Sequence, residues 1–159
     1  MHRQYHATKP GDLPSAELRR SMSGLEFMQR MLNGDLPLPP IAQLMNFRLH
    51  SVDPGRVVFC GSPEFSSANP MGTVHGGWYG TILDSAMACA VMTRIRKGQE
   101  YTTLEYRVNM IRPVTMGSTV LAEGVVVHAG RSTAVAEARL STEEGKLCAH
   151  AVTTCLVIS

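Results

Sequence analysis

The chain has 159 residues, a formal net charge of +2 and an apolar fraction of 44%. This length suits a single domain with a sizeable core, and the composition excludes wholesale disorder. The small net charge gives no sign of a nucleic-acid partner, and no apolar stretch approaches the roughly 20 residues that span a bilayer. We therefore expect a globular protein that binds neither nucleic acid nor membrane.

The cysteines and the first residues bear on the expected compartment. No two cysteines form a CxxC pair, and each lies in an apolar run, so we expect buried, reduced thiols and no metal site; they are Cys60, Cys89, Cys148 and Cys155. Residues 1–14 lack the apolar segment of a secretory signal. Together these features predict a cytoplasmic protein.

The first third of the chain predicts an arm, a helix and a connector. Polar residues, prolines and a glycine predict a loose arm, so we expect residues 1–22 to be flexible and 23–159 to form one domain. Helical spacing of apolar residues predicts an amphipathic helix over 23–32, with Ser23 as its N-cap. Gly34 ends this helix, and the prolines that follow predict an extended connector; they are Pro37, Pro39 and Pro40.

Alternating or β-branched runs predict six strands, although the alanines and glutamates of 131–141 also favour helix by propensity. The runs are 42–52, 56–62, 102–110, 118–128, 131–141 and 146–158. Between the second and third runs, residues 76–94 are apolar almost all round, which is typical of a helix buried on every side. The pattern predicts an α+β fold in which a six-stranded antiparallel sheet wraps around one long central helix, with the N-terminal helix beside it. Because such a sheet leaves an edge uncovered, we expect at least a dimer.

Two features of the central helix suggest chemistry. Gly76 and Gly77 leave the first N–H groups of the helix open to a ligand oxygen, or they merely relieve crowding at a tight junction. Asp84 lies among apolar neighbours, where a carboxylate is either functional or accepts structural hydrogen bonds. Because Asp84 is about 12 Å along the axis from Gly76, both can act on one carbonyl only if they come from different chains.

The loop before this helix resembles that of the hotdog-fold thioesterases. The motif N-x-x-G-x-x-H-G-G occupies residues 69–77, and Asp84 follows at that family's spacing. Over residues 24–158 the chain is most similar to the phenylacetate-pathway (PaaI-like) acyl-CoA thioesterases. The resemblance implies a hotdog fold, dimers that assemble into tetramers, and hydrolysis of acyl-CoA at the dimer interface without a cofactor or metal.

The resemblance also implies roles for individual residues. Asp84 would be the nucleophile or the general base, and a partner's Gly76 N–H would polarise the thioester carbonyl. Asn69 and His75 would position the thioester or the water, and Thr103 would assist the water. From the residues alone, a turn role for Asn69, a helix cap by His75 and a strand preference of Thr103 stay open.

Substrate contacts are expected at two places. Trp78, Tyr79 and the N-terminal helix are candidate walls of an apolar acyl slot, and the turn after the fourth strand lies near the CoA nucleotide in similar proteins. The predicted substrate-binding residues are Gly77, Trp78, Gly130, Arg131 and Ser132. At the turn, a solvated arginine at a hairpin tip is the alternative.

Two other functions remain open at this point. An enoyl-thioester hydratase or dehydratase of the same fold needs a histidine and an acid at one carbon, whereas His75 and Asp84 lie far apart within one chain. A non-catalytic acyl-CoA-binding module is the second alternative, since fold does not fix function.

Overall fold

The structure is a computed structural model that describes residues 3–159. Its four α-helices are α1 (Ala16–Arg20), α2 (Gly24–Asn33), α3 (Pro40–Leu44) and α4 (Gly76–Met92). Its six strands are β1 (Phe47–Asp53), β2 (Arg56–Gly61), β3 (Glu100–Met110), β4 (Val120–Ala129), β5 (Thr133–Thr142) and β6 (Leu147–Ile158). Short 3₁₀ helices occupy Pro10–Asp12 and Phe65–Ser67. Within the described residues, no helix combines the length and apolarity needed to cross a membrane.

The sheet wraps around α4. Its strand order is β1-β2-β4-β5-β6-β3, and every neighbouring pair is antiparallel. The sheet approaches the helix so closely that a Cβ at Gly124 would lie 2.2 Å from the carbonyl oxygen of Ala86. The predicted hotdog architecture, including the N-terminal helix, is confirmed.

The predicted ends of α2 are also confirmed. The Ser23 hydroxyl accepts a hydrogen bond from the Glu26 N–H at 3.2 Å. Gly34 ends the helix in the left-handed region with a φ of 80°, where a side chain would be strained. The apolar face of α2 is buried against the rest of the protein, so the caps at its ends and this burial both stabilise the helix.

The predicted first strand, 42–52, is wrong at its beginning. Residues 42–44 belong to α3, and β1 starts only at Phe47. The prediction of an extended connector therefore fails at Pro40, which occupies the first turn of α3, where a missing N–H costs nothing. α4 also ends earlier than the predicted residue 94, with Thr93 as its C-cap.

The segment predicted to be an arm contacts the rest of the molecule. Ala7 donates from its N–H to the Leu38 carbonyl at 3.0 Å, and Ala7 is buried. The guanidinium groups of Arg19 and Arg20 both pair with Glu100 at the start of β3. These contacts hold α1 beside the first residues of β3, and the flexibility of 1–22 stays a prediction.

Candidate active site

Asp84 and Thr103 form a hydrogen-bonded pair between α4 and β3. The Thr103 hydroxyl donates to Oδ1 of Asp84 at 3.2 Å. Asp84 is half-buried, and this burial raises the pKa of its carboxyl, while the bond from Thr103 lowers it in part. The pair presents a carboxylate in a poorly hydrated place with one oriented hydroxyl, which is the setting of many general bases and nucleophiles.

The groups around Asp84 are weakly hydrated as well. Burial, with a further contribution from the Asp84 charge, raises the pKa of the Cys89 thiol to about 12. Burial also raises the pKa of Tyr101 well above its usual range and that of Cys155 to a lesser degree. The sequence predicts buried thiols at Cys89 and Cys155, but it does not place them or Tyr101 beside Asp84, because only the folded sheet brings β3 and β6 to this part of α4. Asp84 is the one carboxyl among these four side chains.

A β-bulge in β3 explains why Thr103 faces the helix. Strict alternation over 102–110 predicts that Thr103 and Tyr106 point to opposite sides of the sheet. The register between β3 and β6 shifts between Thr103 and Glu105, which leaves Leu104 unpaired. Both Thr103 and Tyr106 therefore face α4, where the Tyr106 hydroxyl would lie 3.1 Å from a Cβ placed on Gly80.

The start of α4 offers one free backbone donor. His75 is the N-cap, and its Nδ1 accepts a hydrogen bond from the Gly77 N–H at 2.8 Å. Within residues 3–159, the Gly76 N–H has no hydrogen-bond partner. Because Nδ1 is the acceptor, the ring proton of neutral His75 lies on Nε2, which is free to donate outward. The geometry thus favours Gly76 over Gly77 as a donor to a ligand oxygen, and it gives His75 the capping role.

Asn69 organises the loop that leads into α4. Its Oδ1 accepts from the N–H groups of Met71 and Thr73, and its Nδ2 donates to the Thr73 hydroxyl at 2.8 Å. These bonds form an Asx turn, which fixes the path of the chain toward His75. The turn role that the sequence left open for Asn69 is present, and a contact with substrate stays a prediction.

The predicted site residues do not all meet within one chain. α4 is a continuous helix from Gly76 to Met92. Asp84 therefore lies eight residues, or about 12 Å, beyond the Gly76 N–H. The structure brings Asp84 and Thr103 together and holds His75 and Gly76 together, but it leaves the two pairs apart.

Trp78 and Tyr79 lie in the core rather than along a substrate cavity. Trp78 is 1% exposed, and its Nε1 donates to the Met45 carbonyl at 2.8 Å. Tyr79 is 4% exposed, and its hydroxyl accepts from the Val114 N–H at 2.7 Å. Both aromatic rings therefore fasten α4 to neighbouring segments, and the expectation that they line the acyl slot has no support from this geometry.

A cavity of about 540 Å³ lies beside the Asp84–Thr103 pair. It is bounded by α4, the start of β3 and the N-terminal end of α2, and we refer to it as the α2 cavity. Thr103 and Ala88 line it on the side of Asp84, while Met22 and Phe27 line it on the side of α2. This volume is within the range of about 300–1,000 Å³ that is usual for small-ligand sites. One signal in the sequence could have indicated it, since Ala88 is one helical turn after Asp84.

A second cavity, at the C-terminal end of α4, is lined by several arginines. It measures about 650 Å³ and is lined by Arg94, Arg96 and Arg131 among others, with no carboxylate from residues 3–159. None of these three guanidinium groups forms an ion pair in the described part of the chain. We call it the arginine cavity. Gly130, also in its lining, and Ser132 belong to the β4–β5 turn, as the sequence predicted.

The wrapped sheet, the central helix and the half-buried Asp84–Thr103 pair define a hotdog protein with a candidate hydrolytic site. A family model described as the Thioesterase superfamily matches residues 71–149. The chain belongs to the thioesterase superfamily, and membership supports thioester hydrolysis as its general activity. The comparison with curated proteins gives no match.

Solved structures agree with this assignment. A variant of the phenylacetic acid degradation protein PaaI from Thermus thermophilus is 31% identical, with a TM-score of 0.68, over 74% of this chain and 97% of that chain. A phenylacetic acid degradation-related protein from Ralstonia eutropha is 29% identical, with a TM-score of 0.75, over 82% and 98%. A hypothetical thioesterase protein from Streptococcus pneumoniae, solved with coenzyme A, is 26% identical, with a TM-score of 0.67, over 75% and 91%.

Proposed function

We propose that the protein hydrolyses acyl-CoA thioesters at two equivalent sites, each shared between two subunits. The observation that carries this proposal is the half-buried Asp84 carboxylate, bonded to Thr103 and about 12 Å from the free N–H of its own Gly76. A second copy of the chain, with its α4 antiparallel, would bring its own Gly76 to this carboxylate. Family membership supports the thioester as the reacting group.

In the proposed reaction, a water molecule near Asp84 loses a proton to the carboxylate while its oxygen attacks the thioester carbonyl carbon. The resulting oxyanion accepts a hydrogen bond from the partner's Gly76 at the positive end of its helix. The C–S bond then breaks, and the thiolate takes up the proton to give free CoA and the acid. Direct attack by Asp84, followed by hydrolysis of an anhydride, uses the same groups. No cofactor takes part in either route.

The arginine cavity supports CoA as the thiol carrier. Arginine binds phosphate oxygens through paired N–H donors, and three guanidinium groups without carboxylate partners favour a polyanion. The Streptococcus pneumoniae relative was solved with coenzyme A. In this proposal Arg131, with Gly130 and Ser132 in the same turn, contacts the nucleotide part of CoA.

The edge of the sheet supports assembly. Within residues 3–159, β3 pairs only with β6, so its other edge has no strand beside it. Tyr106 and Met110, on the face of β3 toward α4, are 45% and 58% exposed. An open edge with exposed apolar side chains favours pairing with another copy, and we propose a dimer as the minimal active unit and a tetramer as the full assembly. The four free thiols fit a reducing compartment, and we propose that it is the cytoplasm.

The test is a thiol-release assay with acyl-CoA substrates, using Asp84→Asn as the matched variant. We expect the wild-type protein to release free CoA and the variant to lose about 10²–10⁴-fold in kcat, since the group removed is the general base or the nucleophile. The variant should remain folded and at least as stable, because the buried charge is removed. Near-normal turnover by the variant would exclude Asp84 from the mechanism, and loss of enoyl absorbance without thiol release would identify a hydratase instead.

A further inference from the structure

We infer that the α2 cavity holds the acyl group of the substrate, and that α2 closes its far end and so limits the length of that group. This inference rests on the proposed function. It assigns an apolar acyl group of up to about ten carbons, straight-chain or aryl, to residues at the start of α2, in α4 and just after it. These residues are Met22, Phe27, Ala88, Met92 and Ile95.

The position of the cavity connects it to the reacting carbonyl. Thr103 lines the cavity and also donates to Asp84, so a carbonyl carbon attacked near Asp84 lies at the mouth of this space. Ala88 follows Asp84 by one helical turn and therefore lies on the same face of α4. Its methyl group leaves room beside the carboxylate, where a larger side chain would obstruct the entrance.

The far end of the cavity is closed by firmly attached residues. Met22 and Phe27 are buried there. A Cβ at Gly24 would lie 1.8 Å from the Met92 carbonyl oxygen, so the start of α2 touches the end of α4 directly. The Gly24 N–H donates to the Ile95 carbonyl at 3.0 Å. An acyl chain cannot pass this wall without displacing α2.

The distance along α4 gives the length limit. Asp84 and Met92 are eight residues apart, which corresponds to about 12 Å of helix. Carbon–carbon bonds of about 1.5 Å in a zigzag fill that distance with roughly eight to ten carbons. Most of the side chains at the far end are apolar, and the two charged residues in the lining, Arg19 and Glu100, pair with each other. A charged terminus would therefore be buried without a partner, which is costly.

The experiment measures kcat/KM for acetyl-, hexanoyl-, octanoyl-, dodecanoyl-, hexadecanoyl- and phenylacetyl-CoA with the full-length protein. Ala88→Leu fills the cavity near its mouth, whereas Met92→Ala enlarges it at the far end. Ala16→Leu adds the same side chain at an exposed position outside the cavity and is the matched control. Binding of the same substrates to Asp84→Asn, measured by calorimetry, reports on the cavity without turnover.

We expect wild-type kcat/KM to fall beyond about ten carbons. In Ala88→Leu, the values for octanoyl- and phenylacetyl-CoA should fall about tenfold or more while acetyl-CoA stays near wild type. In Met92→Ala the preferred acyl length should increase, and Ala16→Leu should keep the wild-type dependence of kcat/KM on acyl length.

The inference is overturned if Ala88→Leu and Met92→Ala both keep the wild-type dependence of kcat/KM on acyl length. It is also overturned if Ala88→Leu lowers kcat/KM equally for every substrate while Met92→Ala does not change the preferred acyl length. These outcomes leave the hydrolysis itself intact, so they are distinguishable from failure of the proposed function, in which wild type releases no thiol from any substrate. In that case, chain-length-dependent binding to Asp84→Asn supports the cavity assignment, and length-independent binding overturns it.

Discussion

A subunit-complementation experiment tests the shared site directly. One variant is Asp84→Asn, which removes the carboxylate. The other is Gly76→Pro, which removes the N–H at the first position of α4. Proline fits this position because its φ suits the first helical turn and the preceding His75 is extended, with a ψ of 139°. Each variant alone is expected to be nearly inactive, since loss of one oxyanion donor costs about 10²–10³ in kcat.

The expected recovery follows from counting sites. In a mixed dimer, the intact Asp84 of one subunit meets the intact Gly76 of the other, while the second site carries both defects. A purified mixed dimer should therefore have about half of the wild-type activity. Random assortment of equal amounts makes about half of the dimers mixed, so the whole mixture should reach about a quarter of the wild-type activity.

The assay co-expresses the two variants with different affinity tags, purifies the doubly tagged species and measures thiol release. A mixture of Asp84→Asn with Asp84→Ala is the control, and it should recover nothing because every site lacks the carboxylate. Gly76→Ala keeps the N–H, and its Cβ would meet only the flexible end of Met110 at 3.3 Å, so it should stay active. A verified mixed dimer with no more activity than its parents would refute the shared site.

Two further predictions concern Asp84 and Trp78. Burial raises the pKa of Asp84 and the bond from Thr103 lowers it, so kcat/KM should fall as the pH drops through that raised pKa. In Thr103→Val this acidic limb should move to higher pH in a pH–rate profile, and a limb that stays in place would contradict the assignment. Trp78→Phe removes the donor to the Met45 carbonyl and should lower the free energy of unfolding by about 1–3 kcal/mol in urea denaturation. The acyl preference of this variant should match that of the wild type. A changed acyl preference with unchanged stability would contradict this and show that Trp78 contacts the substrate.

Local signals in the sequence determined the central helix, most of the strands and the α2 caps. Residues 76–92 leave almost no polar face, which predicts a helix packed in the core, and Ser23 and Gly34 mark the ends of α2 by capping geometry alone. The same reasoning placed Asp84 on α4 and showed that Gly76 is too far away to share a carbonyl with it. These conclusions depend on spacing along one element, which the sequence records directly.

Residues 131–141 show where propensity and pairing disagree. Their alanines and glutamates favour helix, yet β5 is a strand hydrogen-bonded to β4 and β6 on its two sides. Small side chains suit its inner face, where Ala136 and Ala138 are buried in the core. The neighbouring strands and the close packing on α4 override the local preference.

Tertiary structure alone decided the surroundings of the candidate site. The bulge at Leu104 turns Thr103 toward Asp84, and strict alternation cannot indicate it because a bulge depends on pairing with β6. The sequence predicted the N-terminal helix as a wall of the acyl slot, but only the folded structure shows that Trp78 packs in the core instead and that Met92 and Ile95 line the cavity beside Phe27. Helical and strand periodicity specify which face a side chain occupies, but the partner of that face is set by contacts between residues far apart in the chain.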